Sequence, residues 1–201
     1  MPKNFDNINI YAQLTDSAYN NNNTLKNDKT IGNVTYKFLA ATSDTTINGF
    51  QTVIYGKADT YNEVTHKYGE IVIAYRGSFP LDGNFNPSNI NDWNELYQDW
   101  VKNDLHEIVC GEIPSQFEPA NGSYDQQQAT NNEAYKFTLK YADWAYDVAK
   151  TQLVENGKII VTGHSLGGGL AQLVAAKHGN ENVEGYTFNA PGMNFQAKMM
   201  G

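Results

Sequence analysis

Apolar residues recur at helical spacing at the start of the chain, where Ile8, Tyr11, Leu14 and Ala18 share one face of a predicted helix that gives way to the polar run Asn20 to Asn23. Two stretches rich in β-branched and aromatic residues follow, Asn33 to Ala41 and Phe50 to Tyr55. The turn-forming segment Thr42 to Gly49 separates them, which predicts an antiparallel pair at a sheet edge. Glu70 to Tyr75 is an almost unbroken apolar run, the pattern of a strand covered on both faces, and it breaks at Arg76-Gly77-Ser78. Loop composition dominates Phe79 to Asn91 and Cys110 to Tyr124, while Trp93, Leu96, Trp100 and Leu105 between them suit one helix face. From Asn132 to Leu153 helical periodicity runs through Ala134, Phe137, Tyr141, Trp144 or Ala145, and Val148, and ends before Asn156-Gly157. A strand at Lys158 to Thr162, a turn at Gly163 to Gly167, a helix from Gly168 to His178 closed by Gly179, and a strand at Gly185 to Phe188 complete the pattern. Helices alternating with buried strands predict an α/β fold with a mostly parallel central sheet flanked by helices. Lys158 to Thr162 is its expected central strand, between Ile71 to Tyr75 and Gly185 to Phe188.

A length of 201 residues, without repeats or linkers, suits a single domain spanning residues 1–201. Against 14 basic residues stand 22 acidic ones, a formal charge of −8, and no Lys/Arg-rich run, so nucleic acid is excluded as a partner and anionic membranes are disfavoured. Cys110 is the sole cysteine, which rules out an internal disulfide and CxxC motifs and leaves it the part of a small buried hydrophobe. Met1 to Asn20 holds no continuous apolar stretch, so no secretory signal is read, and no segment reaches membrane-spanning length. The expected location is the cytoplasm or, by a signal-independent route, outside it. Asp82, Asp92, Asp99 and Asp104 do not fit a calcium-loop pattern, and no metal or cofactor is called for.

The chemistry concentrates at Gly163-His164-Ser165-Leu166-Gly167, a G-x-S-x-G pentapeptide that directly follows the strand Lys-Ile-Ile-Val-Thr and directly precedes a helix. That setting is what a nucleophile elbow requires. Ser165 must take a strained conformation in a sharp turn, so the residues two before and two after it, Gly163 and Gly167, have to be small. In return its Oγ projects above the sheet, and the backbone N–H of Leu166 and the helix N-terminus face the same point. The alternative is an ordinary Gly-rich turn or a phosphate loop, but neither GxxxxGK[ST] nor GxGxxG is present. His164 lies inside the elbow, where its ring serves as packing or hydrogen-bonding scaffold. His178, thirteen residues after Ser165 on one helix, is about 20 Å away at 1.5 Å per residue, too far to be a base. His66 and His106 read as surface histidines.

The stretch VTGHSLGGGLAQLVA at Val161 to Ala175, with AYRGS at Ala74 to Ser78 and TFNAPG at Thr187 to Gly192, resembles the class 3 (fungal-type) lipase family of the α/β-hydrolase superfamily. The resemblance implies carboxylic ester hydrolysis of acylglycerols or phospholipids through a Ser165 acyl-enzyme. It also implies that Ser78 supplies the second backbone donor of the oxyanion hole beside Leu166. A Gly followed by a small hydroxyl residue at the end of a buried strand independently marks Ser78 as ligand-facing, the alternative being a simple polar turn. The family also carries a mobile lid after this strand, for which residues 79–93 hold Phe79, Leu81, Phe85, Ile90 and Trp93; anchors pinning a surface loop are the competing reading.

The order Ser, acid, His in α/β-hydrolases places the triad partners after the nucleophile. The thirty-six residues after Ser165 contain no Asp and only His178, while Glu181 and Glu184 precede the predicted last strand, so the catalytic Asp and His are not found. The chain is therefore read as truncated after the strand following the nucleophile helix. It is either a fragment, one part completed by a second chain or segment, or a shortened relative that binds lipid or protein without catalysis. Low turnover of these residues alone is expected.

Overall fold

The computed structural model describes residues 5–19, 26–41, 50–77, 141–194 and 197–198. Residues 79–93, the helix expected around Trp93 to Leu105, Cys110, His106, the four aspartates from Asp82 to Asp104, and Ser78 itself lie outside them.

The expected first helix is α1 (Phe5–Ser17), which buries Tyr11 and Leu14 and, just past its end, Ala18, with Ile8 half-buried on the same side. Strands β1 (Lys29–Ile31), β2 (Val34–Ala41) and β3 (Thr52–Lys57) follow, then β4 (Tyr61–Asn62) and β5 (Lys67–Tyr75). Beyond residue 140 come α2 (Ala142–Thr151), β6 (Leu153–His164), α3 (Leu166–Lys177) and β7 (Val183–Phe188). Among the described residues, one sheet of seven strands runs β1-β2-β3-β5-β6-β7, with β4 paired separately to β5.

The three strands expected at the centre are neighbours in the expected order. β5 runs parallel to β6 from Ile71↔Ile159 to Tyr75↔Gly163, and β6 runs parallel to β7 from Ile159↔Val183 to His164↔Phe188. The rest departs from a mostly parallel sheet. β1 to β2, β2 to β3, β3 to β5 and β4 to β5 are all antiparallel, so the sheet is mixed. Nor are β2 and β3 together an edge pair. β1 lies outside β2, and β3 is an interior strand whose residues Thr52 to Tyr55 are fully covered, because helices pack on both faces of the sheet there.

Alternation divides β5 and β6 between two cores. Ile71, Ile73, Tyr75, Ile159 and Val161 meet α2 and α3, through Ala145, Tyr146, Leu170 and Val174 among others. Val72, Ala74 and Ile160 point the other way, against Tyr11, Leu14 and Ala18 of the α1 side. A strand buried on both faces has no polar side, which is why Glu70 to Tyr75 reads as continuous.

Several boundaries move. The helix expected to reach Leu153 ends at Thr151, and Leu153 already pairs with Tyr68, so β6 is twelve residues long rather than the five of Lys158 to Thr162. The Asn156-Gly157 signal marks an irregularity within this strand, with Asn156 at φ 59°, instead of a loop between elements. β7 begins at Val183, so Glu184 lies in the strand and not before it.

Candidate active site

β6 ends at His164 and α3 begins at Leu166, which leaves Ser165 as the whole connection. Its backbone sits at φ 54°, ψ −128°, a conformation that costs a non-glycine residue about 1–3 kcal/mol and persists only when its surroundings enforce it. They do so from both sides. The Ser165 N–H donates to the Phe188 carbonyl at 3.1 Å, and the Ser165 carbonyl accepts the N–H groups of Gly168 and Gly169 at 3.0 and 3.2 Å.

The glycines follow from close approach. A Cβ on Gly163 would overlap the Gly167 carbonyl, one on Gly167 would overlap the Tyr75 carbonyl oxygen, and one on Gly168 would come within 2.5 Å of Ala190 Cβ. The turn thus folds back on its own strand while the end of β5 lies against it. Ser165 is half-buried. Leu166 is the first residue of α3, where a backbone N–H has no acceptor within the helix and the helix dipole adds partial positive charge.

The residues just past β5 lie against the turn. A Cβ on Gly77 would lie 2.5 Å from the His164 carbonyl oxygen and 3.0 Å from Ser165 Cβ. Two anchors hold this strand end. The Arg76 N–H donates to the Gln51 carbonyl at 2.9 Å and its guanidinium to Gln51 Oε1 at 2.6 Å. The Gly77 N–H donates to the Tyr19 hydroxyl at 3.0 Å, and the same hydroxyl is 3.1 Å from His164 Nδ1. Burial lowers the Arg76 pKa and raises that of Tyr19, the latter only partly offset by the Gly77 N–H and the Arg76 charge. His164, expected to pack or hydrogen-bond within the turn, thus has the Tyr19 hydroxyl beside its Nδ1. Tyr19 and Gln51 give no signal in the sequence, because Tyr19 lies 145 positions from His164 and neither belongs to a motif.

The remaining candidates are far from Ser165. His66, exposed at the turn between β4 and β5, stands 3.1 Å from the Tyr61 hydroxyl, at the opposite end of β5 from the elbow. His178, just past the last turn of α3, places Nε2 2.8 Å from Asp143 and stacks on Tyr146 at 3.7 Å between centroids. This Asp–His pair ties α2 to α3 about 20 Å from Ser165, by the rise of the helix. Among the described residues no group of three His, Cys, Asp or Glu could hold a metal ion, and no helix is long and apolar enough to cross a membrane.

Residues 118–200 match the family model of a Tle-like phospholipase domain. The match covers less than half of the chain but includes α2, β6, the elbow, α3 and β7. It supports a lipase or phospholipase relationship, and with it a lipid-ester hydrolase, without singling out the class 3 lipases. No curated protein and no solved structure matches the chain.

Proposed function

We propose that this protein is a serine hydrolase of the α/β-hydrolase type acting on phospholipid or acylglycerol esters, with Ser165 as nucleophile. The observation that carries the reading is Ser165 itself, a non-glycine residue held at positive φ between the end of a central parallel strand and the start of a helix. Strain kept in place by three backbone hydrogen bonds and a set of close-packed glycines has a use when the side chain must stand clear of the sheet.

In this reading Ser165 Oγ attacks the acyl carbonyl, a base takes its proton, and the carbonyl oxygen becomes an oxyanion facing the N–H of Leu166. Ser78, the residue after Gly77, is the proposed second donor. Collapse expels the alcohol of the lipid, which receives the proton, and water then releases the fatty acid from the acyl-enzyme. The base comes from neither His66 nor His178, given where those two lie.

The whole protein, assayed with a short-chain nitrophenyl ester, is expected to lose turnover by at least about 10³-fold in Ser165→Ala. Undiminished turnover in that variant would refute the nucleophile. Lipid binding without turnover, unaffected by the same substitution, would point instead to a binding protein that keeps the hydrolase scaffold.

A further inference from the structure

Tyr19 lies just beyond the end of α1, half-buried, and its hydroxyl joins two segments that reach the elbow from different elements. It accepts the Gly77 N–H at 3.0 Å and is 3.1 Å from His164 Nδ1, with the two rings edge-on at 6.2 Å between centroids. A phenol has two lone pairs and one proton, so it can accept from Gly77 and, when Nδ1 is unprotonated, donate to His164 at the same time. Burial keeps the Tyr19 pKa above its ordinary value, so that proton is retained at neutral pH.

The segment behind Tyr19 is tied to the sheet by buried hydroxyl contacts. Thr15 Oγ1 on α1 lies 2.7 Å from Thr162 Oγ1 on β6, both buried, and the Tyr55 hydroxyl donates to Ser17 Oγ at 3.2 Å. In front of it there is no slack. The gap between Gly77 and Ser165 is so narrow that a methyl group on Gly77 would press on Ser165 Cβ. A shift of the β5 end by a fraction of an ångström therefore changes the space above the nucleophile.

We propose that Tyr19 is a positioning residue for Ser165, its hydroxyl tying Gly77 to His164 and so fixing the end of β5 against the nucleophile turn. The proposal rests on the reading of Ser165 as nucleophile. It differs from a packing role in what it affects: a packing residue changes how much protein is folded, whereas a positioning residue changes how fast correctly folded protein reacts.

Tyr19→Phe removes only the oxygen. The whole protein, this variant and Ser165→Ala are to be compared by the rate of covalent capture with a fluorophosphonate, separated into the maximal rate and the half-saturating concentration. Melting temperature and amide exchange at Gly77 are read in parallel. Expected are capture at Ser165 only, a maximal rate lowered about 10- to 100-fold in Tyr19→Phe at an unchanged half-saturating concentration, and faster exchange at Gly77 with α1 still protected. Capture at the wild-type rate, or a loss matched by the unfolded fraction, would overturn the positioning role alone, provided Ser165 is labelled in the parent. No labelling of the parent, or equal labelling of Ser165→Ala, would overturn the nucleophile reading and Tyr19's part with it.

Discussion

Ser165 carries the local conflict of this fold, since its backbone geometry suits glycine and its proposed chemistry needs a hydroxyl. Replacing it separates the two demands. Ser165→Gly is expected to be more stable than Ser165→Ala by about 1 kcal/mol, because glycine takes φ 54° without a Cβ penalty while alanine keeps it. Chemical denaturation of both variants measures the difference. Equal stability, or a more stable alanine variant, would mean the turn stores no strain at this residue. Gly163 and Gly167 were legible through the G-x-S-x-G pattern, although only the need at Gly163 lies within the pentapeptide and that at Gly167 is set by the end of β5. Tyr19 and Gln51 were not, since their partners are far off in sequence and only the folded sheet brings them to the turn, and Gly77 was legible only as part of AYRGS, without its contact to Ser165.

At the scale of elements, Gly185 to Phe188, half-buried or exposed along β7, was marked only by its short β-rich stretch, whereas the strands at Ile71 to Tyr75 and Lys158 to Thr162 were legible because burial on both faces leaves a continuous apolar run. The same pattern hides strand direction. β3 is covered on both faces like β5 yet pairs with it antiparallel, and nothing in its composition says so. Asn156-Gly157 misled in a similar way, as a turn signal that the paired strand absorbs as an irregularity.

The contact between α2 and α3 makes a pH-dependent expectation. Burial alone would raise the Asp143 pKa, but hydrogen bonds from His178 and Lys177 more than offset it and hold the carboxyl below its ordinary value. A lowered folded pKa contributes stability above the unfolded value near 3.8, and this is lost as pH falls through the folded pKa. Asp147, one helical turn on, is pushed the other way by burial and by the Asp143 charge, so its ionisation opposes folding above that unfolded value. At pH 7, Asp143→Asn is expected to lower the melting temperature and Asp147→Asn to raise it by about 2 °C, the Asp143 difference shrinking as pH falls below 3.8 and the Asp147 difference shrinking already above 3.8, as pH falls toward it. Shifts of the same sign in both variants would contradict this assignment of the two carboxylates.

For the molecule as a whole, the sheet gathers Ser165, Leu166 and Gly77 at the C-terminal ends of β5 and β6, where open α/β sheets hold their ligands. The phospholipase match includes the turn at Ser165, and the backbone strain held at that residue is what the proposed nucleophile role requires. The most direct test is to quench the whole protein during its action on zwitterionic phospholipid vesicles and weigh the peptide that contains Ser165. A mass increase equal to one fatty acyl chain on that peptide is expected, along with loss of both the adduct and fatty-acid release in Ser165→Ala. Fatty-acid release that proceeds without an acyl group on Ser165 and survives the substitution would contradict the account.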